Sequence, residues 1–156
     1  MGVTGAGKTT VGKLLAEELG WQFADADDFH SATNKEKMRQ GIPLTDEDRA
    51  PWLGAIHAAM VGWNRAGENA VLACSALKQS YREQLARNVP VKLVYLRGDA
   101  GFIKDRLQHR SHHYAKANLV DSQFAALEEP ADALAVNVDA SPEKIVEEIR
   151  ARLGFA

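Results

Sequence analysis

The fold is decided by Gly2-Val3-Thr4-Gly5-Ala6-Gly7-Lys8-Thr9, which fits the pattern G-x-x-x-x-G-K-[ST]. A loop of this kind wraps the phosphates of a nucleotide, because its glycines turn N–H groups inward and the following helix adds its positive end. The amphipathic run 11–19 supplies that helix. The alternative is a glycine-rich turn that only caps a helix. The residues expected to bind the nucleotide are Gly2, Thr4, Gly5, Ala6, Gly7, Lys8, Thr9 and Thr10.

Length and composition indicate one domain over residues 1–156, with 46% hydrophobic and 26% charged residues. The net charge of −2 offers no basic face, which argues against nucleic acid as a partner. Cys74 is the only cysteine, so an internal disulfide is excluded. No apolar run reaches the length of a membrane span, and we expect a cytoplasmic protein without a membrane anchor.

Short apolar runs near residues 22–24, 70–74, 91–96 and 133–138 alternate with helical patterns. This alternation predicts an α/β fold in which helices cover both faces of a parallel sheet. The longest helical pattern, residues 49–65, carries one apolar stripe that we assign to the core. Cys74 ends the second run and is expected to be a small buried hydrophobe, with a reactive thiol as the alternative.

Three carboxylates, Asp25, Asp27 and Asp28, follow the first apolar run. Ligands of open α/β sheets bind beyond the carboxyl ends of the strands, so these acids should face the same crevice as the phosphate loop. Their mutual repulsion calls for a cation or a hydrogen-bond donor. The other interpretation is a solvated acidic turn in which an aspartate caps a helix.

Cations are expected around the same crevice. Arg49 lies in the first turn of a helix, where the dipole disfavours a cation unless an anion is near, and a surface salt bridge is the alternative. Lys78 follows the second strand. Arg106 and Arg110 lie four residues apart and precede the polar stretch 111–116, which resembles a basic lid; a solvated face is the alternative. The adjacent pair His112-His113 has poor spacing for zinc.

Taken together, these motifs resemble the gluconokinases, small P-loop carbohydrate kinases related in fold to shikimate and nucleoside monophosphate kinases. The likeness runs nearly end to end. The stretches that carry it are 2–9, Asp25-Ala26-Asp27-Asp28-Phe29-His30, Asn34 with Lys37-Met38, 41–44, 46–53, Ala73-Cys74-Ser75-Ala76-Leu77-Lys78 with Tyr81-Arg82, Ser122-Gln123, and Leu127-Glu128-Glu129-Pro130.

The resemblance implies transfer of the ATP γ-phosphate to the 6-hydroxyl of D-gluconate, on a five-stranded parallel sheet with a mobile lid at about residues 110–118. It implies that Lys8 is catalytic, that Thr9 holds Mg²⁺, and that Asp25 lies near the metal through water. Asp27 then holds the sugar hydroxyl, and His30 belongs to the substrate-binding set.

The same resemblance makes Arg49 and Lys78 the anchors for the gluconate carboxylate and hydroxyls. The lid residues implied to close over the phosphates are Arg106, Arg110, His113 and Lys116, with the two arginines catalytic and His113 also contacting substrate. This chain departs from the family there, because His112-His113-Tyr114 stands where a small residue followed by His-Phe is expected.

Two other functions remain open from the residues. One is a kinase for another small anion, such as shikimate or a nucleotide, on the same scaffold. The other is a nucleotide-binding module without turnover. A homodimer is compatible with the sequence.

A phosphate loop of this kind normally leaves the end of a buried central strand, yet only Met1 precedes Gly2. Four strand candidates are present, one fewer than the resemblance implies. We therefore expect a truncated amino terminus or a misassigned start, and a sheet of four strands with an open central position.

Overall fold

The structure is a computed structural model that describes residues 1–110 and 115–155; the side chains of residues 110 and 115–118 lie outside this description. Helices and strands alternate along the described chain. The helices are α1 (Lys8–Leu19), α2 (Ala32–Arg39), α3 (Asp46–Ala66), α4 (Gln79–Ala86), α5 (Ala100–Arg110), α6 (Ala115–Ala126) and α7 (Pro142–Leu153). The strands are β1 (Gln22–Asp25), β2 (Ala70–Ala73), β3 (Val94–Arg97) and β4 (Leu134–Asn137), and a short 3-10 helix (Ala26–Phe29) follows β1.

The strands form two parallel pairs. β1 pairs with β2, with Asp25 opposite Ala73, and β3 pairs with β4, with Arg97 opposite Asn137. The predicted parallel α/β arrangement and the four predicted strands are confirmed. The third strand begins later than predicted, because its ladder with β4 starts at Val94. Val91, which precedes it, is 45% exposed and lies outside the ladder.

Residues 1 and 2 lie between the two strand pairs. The Met1 amino group donates to the Val94 carbonyl at 2.5 Å, and the Leu96 N–H donates to the Met1 carbonyl at 2.9 Å. On the other side, the Gly2 N–H donates to the Ser75 carbonyl at 3.2 Å. A cavity of about 1270 Å³ lies between β2 and β3, so the predicted open position in the sheet is present.

Two apolar clusters form the core. The larger lies where α1, α5 and α7 meet β3 and β4, and Ile103, Val138 and Val146 are fully buried in it. The smaller is built on the first half of α3 and includes Trp52 and Ile56. The predicted apolar stripe of α3 is therefore confirmed in its first half, whereas Met60 and Trp63 in the second half border the cavity.

The start of α3 is fixed by a capping box. The Thr45 hydroxyl accepts from the Asp48 N–H, and the Asp48 carboxylate accepts from the Thr45 N–H. The helix stops at Gly67, which has φ 70°. This box fixes the first turn of α3, which carries Asp46 and Arg49, and α3 packs against the 3-10 helix and α4. Within residues 1–110 and 115–155, no helix is long and apolar enough to cross a membrane.

Candidate active site

The phosphate loop ends at Gly7, the residue that precedes α1. Gly5 and Gly7 have φ 79° and 92°, a region that favours glycine. A Cβ on Gly5 would lie 2.9 Å from Leu107 Cγ, so α5 also packs too closely for a larger residue. No side chain caps the start of α1 at Gly7. The first N–H groups of the helix are therefore open to an anion, as the motif predicts.

Lys8 reaches back over this loop. Its Nζ donates to the Val3 carbonyl at 2.9 Å. Burial lowers the pKa of Lys8, while Asp27 and Asp25 act in the opposite direction. The ammonium group is thus held above the loop, between its backbone and the acidic end of β1.

Thr9 and Asp25 meet beside the loop. The Thr9 hydroxyl donates to Asp25 Oδ2 at 2.9 Å, and Asp25 Oδ1 accepts from the Asp27 N–H at 3.0 Å. Hydroxyl and carboxylate oxygens are the ligand types that Mg²⁺ prefers, so this pair fits the ion. In the described part of the chain no cluster of three His, Cys, Asp or Glu could hold a metal. A magnesium ion here would therefore take its other ligands from phosphate and water.

Asp27 lies on the 3-10 helix, two residues after the end of β1. Partial burial raises the pKa of this carboxyl and the neighbouring Asp25 charge raises it further, whereas His30 and Lys8 lower it. The contact of Thr9 with Asp25 brings the phosphate loop and the acids to the same end of β1. A shared ligand crevice for loop and acids stays a prediction.

His30 is buried at 8% exposure. Its ring stacks on Trp52 of α3, with centroids 4.3 Å apart and an interplanar angle of 7°. The Trp52 Nε1–H donates to the Ala26 carbonyl at 2.7 Å, which ties α3 to the 3-10 helix. Burial lowers the pKa of His30. Nothing in the sequence marks Trp52 as more than a core residue, so its contact with His30 was missed.

The two predicted anchors for an acidic substrate lie around Tyr81. Arg49 Nη1 donates to the Tyr81 hydroxyl at 3.2 Å, and Lys78 Nζ donates to Asp46 Oδ1 at 3.1 Å. The Tyr81 hydroxyl also donates to Asp46. Together Arg49, Trp52, Lys78 and Tyr81 line a small pocket of about 40 Å³. The alternative of a surface salt bridge for Arg49 is not seen, since within the described residues it pairs with no carboxylate.

Asp46 and Tyr81 are site residues that sequence reasoning missed. In the sequence, Asp46 is accounted for as an acid in the first turn of a helix, and Tyr81 as an ordinary residue of the helix that follows Lys78. Neither position therefore indicates a site residue. The hydrogen bonds from Tyr81, which contributes most, and from Lys78 lower the pKa of Asp46. The bond to Asp46 in turn raises the pKa of Lys78.

The candidate lid is described only at its base. Arg106 Nη2 donates to the Val138 carbonyl at 3.0 Å, and its Nη1 would lie 3.7 Å from a Cβ built on Gly7. Arg106 is therefore next to the phosphate loop, as predicted. The side chains of Arg110 and Lys116, and all of His113, lie outside the described residues.

The sequence analysis also did not predict two contacts made by α6 and by the segment after it. Gln123 Oε1 accepts from the Thr4 N–H of the phosphate loop at 2.6 Å. Glu128 Oε2 accepts from the Gln79 N–H at 2.5 Å, directly after Lys78. The segment that follows the predicted lid thus contacts both the loop and the start of α4.

The remaining predicted nucleotide-binding residues also lie at this site. The Ala6 N–H donates to the Val3 carbonyl at 3.2 Å, which closes the turn of the loop, and Thr10 lies in the first turn of α1. Cys74 is buried, as expected for a small hydrophobe, and burial raises the pKa of its thiol to about 11.

Comparison with known proteins identifies a matching family, relatives of similar sequence and solved structures with the same fold. The shikimate kinase family matches residues 4–154. A gluconokinase of Gluconobacter oxydans is 46% identical, over 96% of this chain and 86% of the relative. The crystal structure of a sugar kinase from a Janibacter species superposes with a TM-score of 0.90 at 42% identity, over 100% of this chain and 92% of the other. That of a gluconokinase from Sinorhizobium meliloti superposes with a TM-score of 0.89 at 39% identity, over 99% and 89%. The chain has the α/β fold of the P-loop kinases, and it belongs to the shikimate kinase family and to the gluconokinases.

Proposed function

We propose that this protein transfers the γ-phosphate of ATP to D-gluconate, giving 6-phosphogluconate and ADP. The observation that carries this proposal is the contact between the phosphate loop and the acids: the Thr9 hydroxyl donates to Asp25 Oδ2 at 2.9 Å, and Asp25 Oδ1 accepts from the Asp27 N–H at 3.0 Å. A phosphate loop, a carboxylate and a set of cations around one cleft are what transfer to a small acidic alcohol requires.

ATP is assigned to the phosphate loop. The open N–H groups of α1 and the Lys8 ammonium match the charge and the acceptor oxygens of a triphosphate. Mg²⁺ bound at Thr9 and Asp25 would supply neutralisation of charge on the phosphates. Lys8 and Arg106 add fixed positive charge at the same place, and such charge stabilises a phosphoryl group in transit.

Asp27 is assigned to the acceptor hydroxyl. Its raised pKa makes the carboxylate a better proton acceptor than an ordinary aspartate. Asp27 orients the hydroxyl toward the γ-phosphate and takes its proton as the new bond forms. Phosphoryl transfer needs little more covalent help, because positioning and charge supply most of the rate enhancement.

Arg49 and Lys78 are assigned to the carboxylate and the hydroxyls of gluconate. Both line the small pocket beside Tyr81, and a guanidinium binds a carboxylate through two parallel hydrogen bonds. His30 lies next to this pocket through its stack on Trp52. We assign the far end of an acid that binds here to Asp27.

We also assign a lid, residues 110–118, within a single kinase domain. Arg106 lies beside the phosphate loop, and Arg110, His113 and Lys116 are assigned to the lid. Closure would exclude water and suppress ATP hydrolysis without acceptor. A cytoplasmic location and a homodimer stay predictions from the sequence.

An acceptor panel tests the function. ADP release would be measured with ATP and Mg²⁺ alone, and with gluconate, shikimate or a nucleoside monophosphate added. We expect rapid release only with gluconate. The family match to shikimate kinase makes shikimate the second candidate, so rapid turnover with shikimate and none with gluconate would replace our assignment. ATP binding with no acceptor-dependent ADP would instead support a nucleotide-binding module.

A further inference from the structure

Asn34 is one of the few polar side chains buried in the described core, at 6% exposure. It lies in the first turn of α2, whose start is capped by the Ser31 hydroxyl accepting from the Asn34 N–H at 3.1 Å. Its side-chain Nδ2 is 2.8 Å from the Asp48 carbonyl oxygen and 3.3 Å from His30 Nδ1. One amide nitrogen thus contacts a backbone carbonyl and an imidazole.

These two contacts determine which ring nitrogen of His30 carries the proton. A backbone carbonyl can only accept a hydrogen bond, so the NH₂ end of the Asn34 amide must face Asp48. That same NH₂ has no acceptor capacity to offer His30, so His30 Nδ1 must be the acceptor. An imidazole whose Nδ1 accepts is neutral and carries its proton on Nε2.

We propose that Asn34 is a positioning residue that holds His30 as the neutral Nε2–H tautomer, so that His30 presents a hydrogen-bond donor to a hydroxyl of gluconate. This inference rests on the proposed function. Within the described residues Asn34 is the hydrogen-bond partner of the ring, and no protein group competes for Nε2.

The charged groups facing His30 do not all favour the neutral ring. Asp27, on the 3-10 helix, stabilises the protonated form, whereas Arg49 of α3 and Lys35 of α2 stabilise the neutral form, as does burial. Trp52 packs on the ring face without charge. Asn34 adds a donor directed at the nitrogen that would otherwise accept a second proton.

Nitrogen NMR of the wild-type protein is the first test, since it needs no catalysis. The signal of His30 is assigned by its loss in a His30→Gln sample. We expect the pattern of a neutral ring with an unprotonated Nδ1 at pH 7, persisting below the ordinary histidine pKa of 6.5. A proton on Nδ1 at pH 7 would overturn the proposal, whether or not the protein phosphorylates gluconate.

Asn34→Asp is the second test, because it offers Nδ1 an acceptor. We expect the His30 pKa to rise by about one unit or more. The acid limb of kcat/KM for gluconate should move up with it, so that activity falls by up to about tenfold in acid, below both pKa values, and recovers at higher pH. The ATP KM should not change. A loss of activity that is equal at all pH values would mean a merely structural role and overturn the proposal.

Lys35→Gln is the matched control, since it changes the net charge by the same amount on the same helix without touching the ring. Its effect on the His30 pKa should be a few tenths of a unit, because an exposed charge is screened. A shift as large as that of Asn34→Asp would show that general electrostatics, and not the Asn34 contact, sets the proton. Failure of wild-type protein to phosphorylate gluconate would instead count against the proposed function.

Discussion

The phosphate loop and the proposed acceptor pocket are built in different ways. The loop is a single stretch, residues 2–9, in which we assign nucleotide binding to backbone N–H groups and one lysine. The pocket is assembled from side chains at the end of the 3-10 helix, in the first half of α3 and at the start of α4, joined by contacts such as His30 with Trp52 and Arg49 with Tyr81. Loop function should therefore depend on few residues, whereas pocket function is spread over a network.

The largest expected effect is that of Lys8→Ala on the loop side. Loss of the charge facing the β- and γ-phosphates should lower kcat by about 10³-fold with the fold intact, because transition-state charge is left uncompensated. Steady-state kinetics and circular dichroism check this. Lys13→Ala, on the same helix, is the control and should stay near wild type. Retention of more than about a tenth of the activity would refute the role of Lys8.

Asp27→Asn tests the residue shared by loop and pocket. The amide keeps the shape but cannot accept the proton, so kcat should fall by about 10²-fold while the gluconate KM changes little. Asp28→Asn, the neighbouring exposed carboxylate, is the control. A change confined to KM would make Asp27 a binding residue only.

Arg49→Lys tests the pocket alone. The charge is preserved but the planar fork is lost, so the gluconate KM should rise about tenfold with the ATP KM unchanged. Arg65→Lys, at the other end of α3, controls for effects on the helix. If ATP binding weakens instead, Arg49 belongs to the nucleotide side and the division between loop and pocket is wrong.

Asp46→Asn is expected to lower the gluconate KM, whereas Arg49→Lys is expected to raise it. The Asp46 carboxylate accepts from Lys78 Nζ and from the Tyr81 hydroxyl, so under the proposed function it would compete with the gluconate carboxylate for these donors. Removing its charge should lower the gluconate KM about two- to fivefold, the range of an exposed ion pair, and less at high salt. Glu47→Gln is the adjacent control. A rise in KM would show that Asp46 positions the pocket instead of competing for it.

The smallest effect concerns stability and pH. The folded-state pKa of His30 is lowered, so the unfolded chain binds more protons in acid and stability should fall as the pH drops below 6.5. The melting temperature of wild type should decline more steeply between pH 6.5 and 5 than that of His30→Gln. Equal slopes would mean that His30 is not held neutral in the folded protein.

The difference between loop and pocket also explains what could be predicted from the sequence. The loop, α1 and Thr9 are predictable because the motif is local and each residue has a stated phosphate or metal role. The parallel strands follow from the alternation of apolar runs and helices. Contact between Thr9 and Asp25 follows from the meeting of strand ends and loop at one edge.

The pocket network was not predictable, because it depends on contacts between residues far apart in sequence. Tyr81 and Asp46 are 35 residues apart, and Gln123 and Thr4 are 119 apart. Asp46, Tyr81 and Gln123 each have a sufficient local explanation as a helix former or cap, so no local pattern marks these contacts. Asn34 is a similar case, since only its burial and its two partners reveal its role.

The regiochemistry of the product tests the central claim most directly. After turnover with ATP and gluconate, proton-coupled ³¹P NMR reports how many hydrogens lie on the carbon that bears the phosphate. Our account holds the carboxylate end at Arg49 and Lys78 and the far hydroxyl at Asp27, so it predicts a phosphomonoester triplet from the terminal CH₂. A doublet, which marks a secondary alcohol, or no gluconate-dependent phosphomonoester would contradict it.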